Sequence, residues 1–261
     1  MKSKWMYILL LIVLIGGFRV SAQPKINFST LDLLADEALQ LTKFTRYDEA
    51  KMLLVRFHEE WTAQYGRKGV ISMDDAKILA AVHHDALKTI DSNESSHIDK
   101  LNKVTAFRLA MDAIASTYQP LWSDMEGPVL ETFHQLKNSV LEGDSAGYHQ
   151  SLNHFLSSYA VILPSLKIDL PLEKLQKVDA KIMYLDQYRS AFHENEQALE
   201  LEHLEKELRS LFAEASQDET DPSLWWVMIM TGSTIILTLT YVSWRKFRGQ
   251  KSQKRGKDSN R

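Results

Sequence analysis

The stretch Ala38-Leu39-Gln40-Leu41-Thr42-Lys43-Phe44-Thr45-Arg46-Tyr47-Asp48-Glu49-Ala50-Lys51-Met52-Leu53-Leu54 decides the fold class. On both sides of Phe44-Thr45-Arg46 the apolar residues recur every three or four positions, the period of an α-helix and not of a strand. Two helices must then meet at a very short turn, which makes them an antiparallel hairpin. Ala38 and Ala50 are small enough to let the helices approach closely, and Tyr47 is placed to fill the gap at their turn.

A small residue, an aromatic after the turn and an alanine three later resemble the middle of a tetratricopeptide unit. Thr45 stands where that repeat usually has glycine, and no clean second copy follows at a spacing of about 34 residues. The expectation is a helical hairpin that is tetratricopeptide-like only at its turn.

The same helical period runs outward from this hairpin. Leu31, Leu34, Ala38 and Leu41 form the first stripe, and Ala50, Leu53, Leu54, Phe57 and Trp61 the second. Ser72 and Asp75 give a capping-box-like start to a third, which carries Ala76, Leu79, His83 and Leu87. Val104, Phe107, Met111, Ile114 and Tyr118 mark a fourth, closed by Pro120; Val129, Phe133, Leu136 and Val140 mark a fifth, ended by Gly143. The sixth has Tyr148, Leu152, Phe155, Leu156, Tyr159 and Leu163, with Pro164 as its expected end. Pro171 opens a seventh with Leu175, Val178, Ile182 and Leu185, and Leu201, Leu204, Leu208, Leu211 and Ala215 define the eighth. Only Gly69-Val70-Ile71 and Lys167 to Leu170 could be extended. The body is expected to be all-α, about eight helices in antiparallel hairpins joined by short connections.

Charge is distributed unevenly along the chain. The 261 residues sum to −3 and contain no cysteine. Yet the last seventeen hold eight Lys/Arg and one Asp, and the first twenty-two hold Lys2, Lys4 and Arg19 without an acid. The acidic stretch between them is bounded by two apolar runs, a pattern of membrane topology rather than of nucleic-acid binding. Composition excludes a disordered chain, a collagen-like fibre and a disulfide scaffold. A body of about 200 residues buries enough surface to fold without disulfides.

Lys2 and Lys4, the uncharged run from Trp5 to Phe18, and Val20-Ser21-Ala22 before Gln23 read as a secretory signal. An uncleaved anchor is the alternative, and a lipoprotein is excluded because no cysteine follows the run. Leu224 to Trp244 gives twenty-one residues without a charge, roughly 31 Å of helix, the thickness of a bilayer core. Trp225 and Trp226 mark one interface, Tyr241 and Trp244 the other. Acids at Asp218, Glu219 and Asp221 precede it; Arg245, Lys246, Arg248, Lys251, Lys254, Arg255, Lys257 and Arg261 follow. The positive-inside rule puts this tail in the cytoplasm and the body outside. The expected organisation is a signal peptide at 1–22, an exported helical domain at 23–216 and an acidic linker at 217–223. A transmembrane helix at 224–244 and a basic tail at 245–261 complete it.

No motif assigns chemistry, and no catalytic, cofactor-binding or metal-ligating residue is named. Gly143-Asp144-Ser145-Ala146-Gly147 matches G-x-S-x-G, but that motif works on a strand-to-helix turn, and helical sequence flanks this one. Gly143 reads as a helix C-cap, with Asp144 or Ser145 as the next N-cap. His83 and His84 are adjacent and diverge on a helix, and His149 and His154 miss the i, i+4 spacing of a zinc pair. His83 lies on an apolar stripe, as a satisfied core histidine would. Glu194, Glu196, Glu200, Glu202, Glu205 and Glu207 read as a solvated face supported by Lys206 and Arg209. The tail's nearest partner is anionic lipid. Thr231, Thr234 and Thr238 share one face of the span and could aid weak self-association.

Taken together, the chain resembles the YpjB family of sporulation proteins from spore-forming bacilli. The resemblance covers nearly the whole chain, resting on the hairpin Ala38 through Phe57 and on the Trp225-Trp226 span with its basic tail. It implies membrane attachment and a link to spore formation, and brings no catalytic or binding residues with it. The leading expectation is a non-enzymatic anchored protein that binds an unidentified membrane or envelope protein at the outer face. An envelope enzyme whose site is invisible in one sequence, and a small-ligand sensor, are the alternatives.

Overall fold

The computed structural model describes residues 28–64, 71–116, 119–187, 189, 194–217 and 222–257. The signal-like run at 5–18, Gly69, Val70 and Tyr118 lie outside these residues, as do the side chains of Glu194, Glu196, Ala215, Trp225 and Trp226. Among the described residues there are nine α-helices and no strand. They are α1 (Ser29–Lys43), α2 (Tyr47–Gln64), α3 (Met73–Asp91), α4 (His97–Ala115), α5 (Glu126–Leu141), α6 (Ser145–Asp169), α7 (Leu172–Gln187), α8 (Glu194–Gln217) and α9 (Pro222–Lys257). A 3-10 turn, Leu121–Met125, precedes α5.

The first hairpin forms where its sequence places it. Leu31, Leu34, Ala35 and Ala38 of α1 are buried against Ala50, Leu54 and Phe57 of α2. Thr45 sits at φ 60°, the left-handed region that glycine enters without strain. That conformation explains why a turn of this kind usually carries glycine. Ala50 has no exposed surface, so the helices leave no room for a longer side chain. Ala50→Leu should cost about 1–3 kcal/mol through overpacking, read as a lower thermal unfolding midpoint of the purified chain. An unchanged midpoint would mean that the contact is loose.

α4 is the centre of the body. It packs against α1, α3 and α6, and its residues Val104, Phe107, Ala110 and Met111 enter one core, formed with α1, α2 and α3. Ala106 and Leu109 enter a second, formed with α5, α6, α7 and α8. Being covered on most sides, α4 buries ten of its nineteen residues, charged ones included. In the second core Phe133 meets Phe155 edge-on, and the stripes of α5 and α7 and the leucines of α8 are buried as their spacing predicts.

One local expectation needs correction. Pro164 does not end α6, which continues to Asp169, so Lys167 to Asp169 are helical rather than extended. Proline lacks the N–H that would bond the Ala160 carbonyl, which costs a helix about 3 kcal/mol. Burial of Leu166 on the following turn offsets this, and the helix stops only before Pro171. Ser72 caps α3 where its spacing puts it, accepting from the Asp75 N–H at 3.0 Å, and a reciprocal box with both bonds occurs at Ser96 and Asp99. α8 runs through Gln217 and α9 begins at Pro222.

α9 makes no contact with another described helix. Its segment Val227–Lys246 is long and apolar enough to cross a membrane, and none of it is buried against the body. The helix does not stop at Trp244 but continues through the basic residues to Lys257.

Candidate functional site

The segment Gly143 to Gly147 lies between two helices. Gly143, at φ 68°, terminates α5, and the Asp144 carboxylate caps α6 by accepting from the Gly147 N–H at 3.0 Å. Asp144 rather than Ser145 is therefore the cap; Ser145 is the exposed first residue of α6. This helix–turn–helix geometry lacks the strand that lifts a nucleophilic serine clear of its surroundings.

His83 is buried as expected. Its Nε2–H donates to the Leu54 carbonyl at 2.8 Å, and its ring stacks on Phe57. Burial pushes its pKa below the ordinary value, helped by His58 and His84 and opposed by the Leu54 bond. The ring is a neutral strut between α2 and α3. His84 is exposed on the same helix, and among the described residues no three His, Asp or Glu side chains gather as metal ligands would.

The acidic face of α8 is only partly solvated. Glu205 accepts from Lys137 at 2.8 Å and from Arg209 at 3.0 Å, with His134 at 3.4 Å. These bonds, Lys137 first, pull its pKa down to about 2. Glu207 pairs with Lys181 at 2.9 Å. The two glutamates thus tie α8 to α5 and to α7, while Glu202 pairs only locally with Lys206. Sequence spacing shows the i, i+4 partner of Glu205 but not the residues that reach it from other helices.

A polar cluster joins the two cores around α4. The Arg108 side chain, 8% exposed, meets Asp32 at 2.9 Å, Asp36 at 3.4 Å and Asp112 at 3.6 Å. Asp112 also accepts from the Leu121 N–H at 2.7 Å. Beside it, Trp122 donates its indole N–H to Asp169 at 2.6 Å. Two carboxylates therefore hold the 3-10 turn against the ends of α4 and α6. Burial raises the pKa of Asp112, and that of Asp169 is pushed up to about 6, chiefly by removal from water, with the Asp112 charge adding to it. As a whole residue Asp169 is nonetheless exposed, so solvent screens much of this effect.

This arrangement fixes a direction for pH dependence. An acid whose folded pKa lies above its unfolded value stabilises the fold at low pH and withdraws that stability as pH rises through the folded pKa. For Asp169 the window runs from its ordinary 3.8 to about 6. Asp169→Asn keeps the acceptor for Trp122 and removes the charge. It should raise the unfolding midpoint near pH 8 and leave it unchanged near pH 4, with solvent screening holding the gain below about 1 kcal/mol. Equal effects at both ends would show that the carboxyl does not titrate in this window.

At the opposite end of the body, the α1–α2 turn, the end of α3 and the start of α4 enclose a pocket of about 470 Å³. Tyr47 partly fills the turn, as its position suggests, but its hydroxyl reaches His97 Nδ1 of α4 at 2.8 Å. The Lys100 ammonium lies 4.2 Å from the centre of the Tyr47 ring, and the residue is only 7% exposed. Lys100 stands four residues before Val104 on the buried stripe of α4. That spacing is the signal by which it could have been found.

Comparison with known proteins places the chain. The family described as "Sporulation protein YpjB (SpoYpjB)" matches residues 28–256. A protein of Bacillus subtilis (strain 168), titled "Uncharacterized protein YpjB", is 30% identical over 263 aligned positions, covering 99% of each chain. No solved structure matches. The match takes in both the first hairpin and the α9 helix with its basic extension, and the chain belongs to the YpjB family of sporulation proteins.

Proposed function

We propose that the chain is a non-enzymatic, membrane-anchored protein whose helical body binds another membrane or envelope protein at the outer face during sporulation. The observation that carries this reading is α9. It exposes Ile235, Ile236, Leu237, Leu239 and Val242 with no contact to the body, and a helix with that surface needs lipid as its solvent. Acids stand before the apolar stretch and eight basic residues after it, which favours a cytoplasmic tail lying against anionic headgroups. The body contributes exposed apolar side chains of its own, including Phe44 and Met52 on the first hairpin, the residue types that protein partners cover. Only four residues separate α8 from α9, which at full stretch reach roughly 17 Å, so the body stays near the lipid surface.

Orientation is tested with two fusions. A reporter active only in the cytoplasm should work after Arg261 and fail at Asp221. The reverse pattern would place the body inside and overturn the topology.

A further inference from the structure

We propose that the pocket at the ends of the first two hairpins binds a carboxylate, with the Lys100 ammonium as its charged anchor. Lys100 is buried, and among the described residues no acid lies within ion-pairing distance of it. The Tyr47 ring face is the one partner its charge has there. The stem of Lys100 is buried, and the ring face is a weaker partner for its ammonium than a carboxylate. An anion entering the pocket supplies the ion pair that the ammonium lacks.

Two ion pairs account for four of the other charges around the pocket. Arg46 is bonded to Glu49 on the first turn of α2, and Lys51 to Asp91 at the end of α3. Asp48 is exposed. Lys100 is the remaining cation of the lining, and it is buried where Asp48 is exposed. The N-terminus of α2, at Tyr47, Asp48 and Glu49, opens on the same space, and its amides add the partial positive charge of a helix start. Apart from Ile90 and the ring of Tyr47, the walls are polar. A volume of about 470 Å³ accommodates a small organic acid or the last residues of a peptide. Either source presents the same group, and the site holds whichever way the body faces the membrane.

The test uses the full chain in detergent micelles, titrated calorimetrically with succinate and with N-acetylated tetra-alanine bearing a free or an amidated C-terminus. Saturable binding of succinate alone identifies a small acid, and binding of the free peptide but not its amide identifies a chain end. Lys100→Met and Lys100→Gln should weaken the bound probe by about tenfold or more, whereas Lys100→Arg keeps the charge and should stay within a few-fold. Asn93→Trp, on the exposed connection between α3 and α4, fills the pocket mouth and should weaken binding too, and it serves if the Lys100 variants do not fold. The proposal is overturned by no binding of either acid up to roughly 50 mM. Equal binding of acid and amide, or unchanged binding in the Lys100 and Asn93 variants, overturns it as well.

Discussion

Arg108→Met should lower the stability of the body by about 3–5 kcal/mol, because it removes one partner of a buried ion cluster and leaves the other charged. For a domain near 200 residues that is a fall in unfolding midpoint of roughly 10 °C. Asp32 and Asp36 are each more than one-third exposed and regain water when the cation goes, so their share is small. Asp112, with 13% of its side chain exposed, cannot. Burial already raises its pKa while Arg108 holds it down, so without Arg108 it rises further. The loss should therefore be greatest at alkaline pH and shrink as Asp112 takes up a proton on acidification. Adding Asp112→Asn to Arg108→Met should recover part of the loss at neutral pH. A loss below about 1 kcal/mol, independent of pH, would show that the cluster behaves like a surface pair.

That cluster also shows where reading a sequence stops. The stripes of α5 and α7, and the leucines of α8, are local patterns, and each is buried where its spacing puts it. His83 was legible for the same reason, being on a stripe. Arg108 meets Asp36 across 72 positions, Trp122 meets Asp169 across 47, and Tyr47 meets His97 across 50. No local period encodes such pairs; they exist only once α4 is packed between two cores. Pro164 misled because its local rule is sound, but the packing of Leu166 outweighs it. The 3-10 turn carrying buried Trp122 has no period at all in five residues. The G-x-S-x-G match errs the other way, since its letters are local while the chemistry needs a strand beneath them.

The anchored body and a freed one should differ completely in function. Tethering a domain within a few tens of ångströms of the bilayer raises its effective concentration for another membrane protein, without demanding tight affinity. Val227–Lys246 contributes nothing to the packing of the body, so its loss should leave the fold intact while removing that advantage. An unrelated apolar helix in its place should serve as well, since the residues of the span carry no strong motif.

The most direct measurement is spore yield in cells that lack the protein, supplied with the body ending at Ser216 either released or joined to an unrelated span. The account predicts that the released body accumulates folded without restoring spores, and that the re-anchored body restores them. Full restoration by the released body would contradict it.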